Sequence, residues 1–377
     1  MTKEQDLHSR TNSRLALLMT LLESDPDNRV LLFDAAGAAL ADGQGAEAIA
    51  LLDRAAGGGP LAPAETNLRG LAEMQLGRFD RAAAAFESLR GGEGGADPTL
   101  RSNLAWAKAM AKDQEGALDL LDDETARVRP EAAMLRVQLL HDRGHFDEAA
   151  ALARDYVELH PDHRGLLAAV SVLALDVEDR TLAARCAAGA GDHPDALATL
   201  GTLALGDDRG AEAWDLFDGA IRGNEGVPRA WIGRGLAALL SGRAEQAPAD
   251  IDRGAAMFGD HLGSWIAAGW AHFVNRDFAT ARARFETALE LDPSFAESHG
   301  SLAVLDLLEG KADEARKGAQ TALRLDRESM SAALAQTLIA AGEGEGDRAR
   351  QIFEAALSTP LGKDKRTIAQ ALARMGL

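Results

Sequence analysis

The side chains best suited to chemistry in this 377-residue sequence are its nine histidines, four of which, His141, His145, His160 and His163, lie close together. An imidazole serves as a general base or a metal ligand near neutral pH. A helical zinc site, however, needs its ligands on one face, and these four do not offer that. His141 and His145 straddle a helix end at Gly144, and His160 and His163 flank Pro161 in a loop. Cys186, the one cysteine, has His193 near it in sequence, the pairing of a thiolate nucleophile with its base. It sits in the stretch LAARCAAGA, where a small buried cysteine is the ordinary occupant of an alanine-rich helix. The run Gly342-Glu343-Gly344-Glu345-Gly346-Asp347 has the glycines of a phosphate cradle, but its alternating carboxylates repel phosphate, so it reads as a hairpin turn. No catalytic, cofactor-binding or metal-ligating residue is expected, and the chain reads as non-enzymatic.

The elements that carry these residues repeat. In Leu262–Phe295 the pattern predicts a helix to about Val274, a polar turn at Asn275–Asp277, a second helix to about Leu291, and a stop at Pro293. An alanine recurs at Ala48, Ala82, Ala117, Ala149, Ala183, Ala213, Ala247, Ala281, Ala315 and Ala349, and the last five intervals are each 34 residues. Twelve residues before it stands a mostly small residue, among them Gly70, Gly201, Gly235 and Gly269. Four residues after it a large one often follows, as at Phe86, Phe217, Ile251, Phe285 and Phe353. Small meets large where two helices of a hairpin approach closely.

Together with the helix-ending Asp25-Pro26, His160-Pro161 and Asp292-Pro293, this ladder resembles the tetratricopeptide repeat family over roughly Arg29 to Ser358. The resemblance implies an all-α fold, a right-handed superhelical solenoid of about ten helical hairpins with capping helices at both ends. Its hairpins begin near Arg29, Pro63, Pro98, Pro130, Arg164, Pro194, Pro228, Leu262, Ala296 and Met330. The expected organisation is a capping half-repeat over 1–28, the solenoid over 29–358 without an internal domain boundary, and a capping helix within 359–377, running from Lys363 to Met375 with Ile368, Ala371, Leu372 and Met375 on one face. Pro248 falls near the start of a second helix, where it costs a turn.

A second stripe runs along the first helix of each hairpin, 15, 11 and 8 residues before the ladder alanine and off the core-packing face. In proteins of the family it resembles, this stripe lines the concave groove. Here it holds Ile232, Leu236 and Leu239, then Ile266, Trp270 and Phe273, then Gly300, Val304 and Leu307; earlier in the chain it is more mixed and includes Leu71, Met74 and Trp106. A helix apolar on all sides expects cover on all sides, and a few hundred Å² of apolar surface is worth on the order of 5 to 10 kcal/mol when covered. The amino-terminal groove lacks the paired lysines and asparagines with which co-chaperones of that family grip a terminal carboxylate.

The expected function is therefore a protein-binding scaffold, an adaptor or chaperone-like protein that holds an apolar peptide or helix of a partner. The alternative is a homo-oligomer that buries the same surface against itself. With 40 Lys+Arg against 59 Asp+Glu, a net charge of -19 favours a basic partner and disfavours nucleic acid and anionic membranes. No stretch approaches 18 uninterrupted apolar residues, so no membrane insertion is expected, and the lone cysteine suits a cytoplasmic location.

Overall fold

The computed structural model describes residues 3–92, 94–358, 360–361 and 366–367. Helix α1 (Lys3–Ser24) comes first and starts earlier than Thr11, where a cap was expected. Ten hairpins follow. Their first helices are α2 (Arg29–Ala41), α4 (Pro63–Gln75), α6 (Pro98–Met110), α9 (Pro130–Asp142), α11 (Arg164–Asp176), α13 (Pro194–Gly206), α15 (Pro228–Leu240), α17 (Leu262–Val274), α19 (Ala296–Leu308) and α21 (Met330–Gly342), each beginning at the residue the sequence pattern predicts. Their second helices are α3 (Gly45–Ala56), α5 (Phe79–Glu87), α7 (Gln114–Leu118), α10 (Phe146–Leu159), α12 (Arg180–Ala190), α14 (Gly210–Gly223), α16 (Ala247–Phe258), α18 (Phe278–Leu291), α20 (Ala312–Leu325) and α22 (Gly346–Leu357), with the short α8 (Asp123–Val128) inserted after α7. The fold is all-α, a helical solenoid.

The chain forms two compact units, Met1–Leu166 and Leu167–Leu377, and the division falls within α11. In the first unit, Leu15 and Leu22 of α1 join the core built by Leu32, Ala36, Leu51 and Leu52, so α1 covers the first hairpin. A second core runs from Ala82 and Phe86 through Leu104 to Leu135 and Leu139. In the second unit the cores pass from Phe217 and Trp231 to Ile251, then to Phe285 and Leu305, then to Ala319 and Ala335.

One local device bends every hairpin. Five residues before each ladder alanine a single residue takes a left-handed backbone: Gly43, Gly77, Lys112, Gly144, Glu178, Asp208, Gly242, Arg276, Gly310 and Gly344. The next N–H donates to a carbonyl five residues back, as in Gln44 to Ala39 (2.8 Å), Asp277 to His272 (3.0 Å) and Glu345 to Ala340 (2.9 Å). This closes the first helix with a Schellman motif and satisfies a carbonyl that the helix end leaves free. Side-chain caps then start several helices: Asp179, Asp277 and Ser329 accept from the N–H groups of Leu182, Thr280 and Ala332. At Pro248 the expected cost appears as a 3-10 turn, Ala244–Gln246, that leads into α16.

All ten ladder alanines are buried, the least so being Ala349 at 7% exposure. The small-to-large pairing is equally clear. A Cβ placed on Gly70 would lie 2.5 Å from the ring of Phe86, on Gly201 2.9 Å from Phe217, on Gly235 2.4 Å from Ile251, and on Gly269 2.2 Å from Phe285. Only glycine lets the two helices close over these side chains.

One expectation needs correction. The segment from Lys363 was expected to be helical, but Arg366–Thr367 forms a two-residue strand paired antiparallel with Pro360–Leu361. A reversal of the chain after α22 brings these two pieces together. The remainder of the expected capping helix, from 368 onward, lies outside the described residues.

Candidate functional site: an apolar stripe and cleft on the first helices

The groove positions of the second unit are carried by consecutive first helices. On α15, Ile232, Leu236 and Leu239 are half-buried, the two leucines against the core of Ala238, Ile251 and Ala271. On α17, Ile266 is buried at 9% exposure, whereas Trp270 and Phe273 are half-buried. On α19, Val304 is buried at 1% and Leu307 is half-buried. The stripe is thus partly core: Ile266 and Val304 pack inward and the other side chains keep one side open.

The aromatics connect those two environments. Trp270 meets the fully buried Phe285 at 5.5 Å between ring centroids and Phe273 at 5.0 Å, and Phe273 meets the exposed Phe278 at 5.4 Å. Edge-on and tilted rings at these separations attract one another beyond the area they bury. Packing of this kind fixes the open faces of Trp270 and Phe273 in place.

Beyond α17 lies a cleft of about 570 Å³ lined by Ile266, Trp270, Glu297, Met330, Leu334 and Phe353, with Ser331, Ala333, Thr337 and Ala356 completing it. Its carboxylate is already engaged: Glu297 accepts from the N–H groups of Met330 (2.8 Å) and Ser331 (3.1 Å) and from the hydroxyl of Ser331, holding the start of α21 against α19. What remains is carbon surface, suited to an apolar side chain. Sequence reasoning missed Met330, Leu334 and Phe353 here. Leu334 stands 34 residues after Gly300 in the same stripe, so the repeat itself carried the signal.

In the first unit, Leu71, Met74 and Trp106 are half-buried against the core containing Phe86 and Leu104. They form no apolar continuum comparable to the one on α15–α21, because Asn67, Ser102 and Gln138 interleave them.

Charged residues clamp the hairpins together around the apolar surface. Arg234 forms a bidentate pair with Asp250 (2.7 Å for both bonds), a third bond to Asp218 (2.8 Å), and lies over the ring of Trp231 at 4.9 Å. Asp252 accepts two bonds from Arg284 (2.8 and 2.9 Å) and one from His272 (3.0 Å). Burial pushes the Asp252 carboxyl upward, but the hydrogen bonds and charges of Arg284 and His272 outweigh it and hold the group below the ordinary carboxylate range. Glu65 is held low chiefly by its hydrogen bonds from Arg29, both 2.6 Å.

The chemically suggestive residues have structural occupations. His160 meets the carbonyl of Ala126 (3.0 Å), and His163 accepts from the N–H of Leu166 (3.0 Å). His141 packs its ring against Phe146 at 5.6 Å. His193 caps α13 by accepting from Asp195 (3.3 Å), while Cys186 is buried at 1% exposure within α12. Among the described residues no group of three or more His, Cys, Asp or Glu side chains is arranged to hold a metal ion, and no helix is long and apolar enough to cross a membrane.

Three stretches, residues 67–128, 198–260 and 266–319, match the model of a family described as Tetratricopeptide repeat. No curated protein matches the chain. Among solved structures, the APC/C hetero-tetramer Cut9-Hcn1 is similar at 16% identity and a TM-score of 0.52, covering 99% of this chain and 94% of that one. A monomeric mutant of IFIT1 with m7Gppp-AAAA is similar at 12% identity and a TM-score of 0.52, covering 87% of this chain and 90% of that one. At these identities the likeness is one of fold.

Proposed function

This chain is built of tetratricopeptide repeats, and from that premise we propose that it is a non-enzymatic scaffold, adaptor or chaperone-like, that holds an apolar segment of a partner protein along α15, α17 and α19. Stacked helical hairpins generally present extended surfaces for other proteins. The observation that carries the finer reading is the half-buried run of Leu236, Leu239, Trp270, Phe273 and Leu307, whose open faces sit on consecutive helices. Side chains fixed on one side and open on the other suit the apolar anchors of an extended or helical peptide.

The formal charge of -19 supports a basic partner, steered by the acidic exterior. It also argues against nucleic acid by repulsion of phosphates. That argument rests on charge and not on fold, since the similar IFIT1 structure was solved with a capped RNA. The single buried Cys186 supports a cytoplasmic setting.

The test is partner capture by the full chain compared with a Leu239→Ser, Leu307→Ser variant, with molar mass measured by light scattering. Loss of specific partners at unchanged mass is expected. Unchanged capture by a folded variant would sink the groove reading, and a change of mass without change of partners would favour self-association instead.

A further inference from the structure

Phe353 is out of keeping with its register. The position four residues after the ladder alanine is fully or almost fully buried in the nine earlier hairpins: Leu52, Phe86, Ala153, Ala187, Phe217, Ile251 and Phe285 at 0%, Leu121 and Ala319 at 1%. Phe353 is 45% exposed. The cause can be read from Phe217, which is covered from two sides. A Cβ on Gly201 of its own hairpin would lie 2.9 Å from the ring, and one on Gly233 of the next first helix would lie 2.2 Å away. The second cover is what Phe353 lacks among the described residues.

The sequence supplies a matching cover. Advancing the groove positions Leu334, Leu338 and Ala341 by the 34-residue period gives Ile368, Leu372 and Met375, and advancing the buried Ala335 gives Ala369, small as Gly233 is. The chain path agrees. Thr367 pairs with Pro360, three residues after the end of α22, so the chain turns back and Ile368 starts within about 10 Å of that end. Charge agrees as well: residues 363–377 contain Lys363, Lys365, Arg366 and Arg374 against the single carboxylate of Asp364, in a chain whose net charge is -19.

We propose that residues 368–377 of this chain are the occupant of the apolar cleft between α17, α21 and α22, seated over Phe353 and Leu334 as an internal ligand. The cleft shares Ile266 and Trp270 with the partner stripe. An apolar segment of a partner that reaches past α17 therefore competes with the tail, and this last consequence rests on the scaffold reading above.

The test places a photoreactive phenylalanine analogue at position 353 of the full chain and identifies the adduct by mass spectrometry, separating monomer from dimer first. A monomeric adduct within residues 368–377 is expected. An adduct elsewhere in the chain, a dimeric adduct or no adduct overturns the proposal, the dimer pointing to a second copy as the occupant. As a second readout, the full chain carrying Leu372→Asp should show amide hydrogen exchange in α22 at least tenfold faster than the parent, and unchanged exchange overturns the proposal too. Neither measurement involves a partner, so either can fail while partner capture along α15–α19 succeeds, and the reverse.

Discussion

The ring of Phe285 occupies the space in which a side chain on Gly269 would begin, 2.2 Å from the ideal Cβ position. That distance reverses an ordinary preference, because alanine in a helix is favoured over glycine by about 1 kcal/mol. Gly269→Ala should nonetheless destabilise the second unit by about 1–3 kcal/mol through overpacking. Thermal unfolding decides: a raised midpoint would mean the ring moves aside at no cost.

Ala281→Leu should cost a similar ~1–3 kcal/mol, since Ala281 is fully buried and a branched side chain finds no room between the helices. Circular dichroism melts measure it. An unshifted melt would place the alanine outside the contact.

The turns separate into two classes with opposite responses. Arg276 adopts φ 63° in a position that glycine holds in six of the ten hairpins, so Arg276→Gly should relieve left-handed strain and raise stability by about 0.5–1 kcal/mol. Gly310→Ala, at φ 78°, should lower it by about 1 kcal/mol. Denaturant midpoints of the two variants should move in opposite directions, and movement in the same direction would remove the backbone as the cause.

Arg234→Lys keeps the charge and loses the planar fork that engages Asp250 and Asp218 while stacking on Trp231. A loss of about 1.5–3 kcal/mol is expected, because hydrogen bonds to charged groups are at stake and lysine does not replace a bidentate donor. Equal stability of the two proteins in urea would reduce this clamp to a surface ion pair.

Acid should loosen the second unit through Asp252. Its carboxyl ionises below the ordinary range in the folded chain, so the stabilisation is complete above the unfolded-state value and fades as pH falls through the lower folded value. Stability should therefore decline with acidification below about pH 4, near the ordinary aspartate pKa. In Asp252→Asn that part of the decline should be absent and stability at neutral pH lower. Matching slopes in the two proteins would assign the acid sensitivity to other carboxylates.

Much of the architecture was legible because it repeats. Periodicity averages out local ambiguity, and the first residues of all ten first helices, Arg29 to Met330, follow from register alone. The hairpin turns were only half visible: glycine marks Gly43, Gly242 and Gly310, but Lys112, Glu178, Asp208 and Arg276 take the same backbone without the residue type that signals it. The stripe was legible as a set of positions and not as degrees of exposure. Ile266 and Val304 turn inward and Trp270 stays half-open according to how neighbouring helices tilt, which no single-helix periodicity encodes. Phe353 escaped notice for the opposite reason, since its register marks it as core and only the lack of a described successor opens it.

The clamps between hairpins are short in sequence. Arg29 and Glu65 are 36 residues apart, Arg284 and Asp252 are 32, and Ser331 and Glu297 are 34, while the longest described side-chain hydrogen bond, Arg229 to Asp176, spans 53. Closing loops of this size costs little entropy compared with pairing distant segments. A chain leaving the ribosome can thus settle each hairpin as soon as the next has been synthesised, and the sticky surface it shows at any moment is about that of one hairpin, however many repeats the finished protein contains.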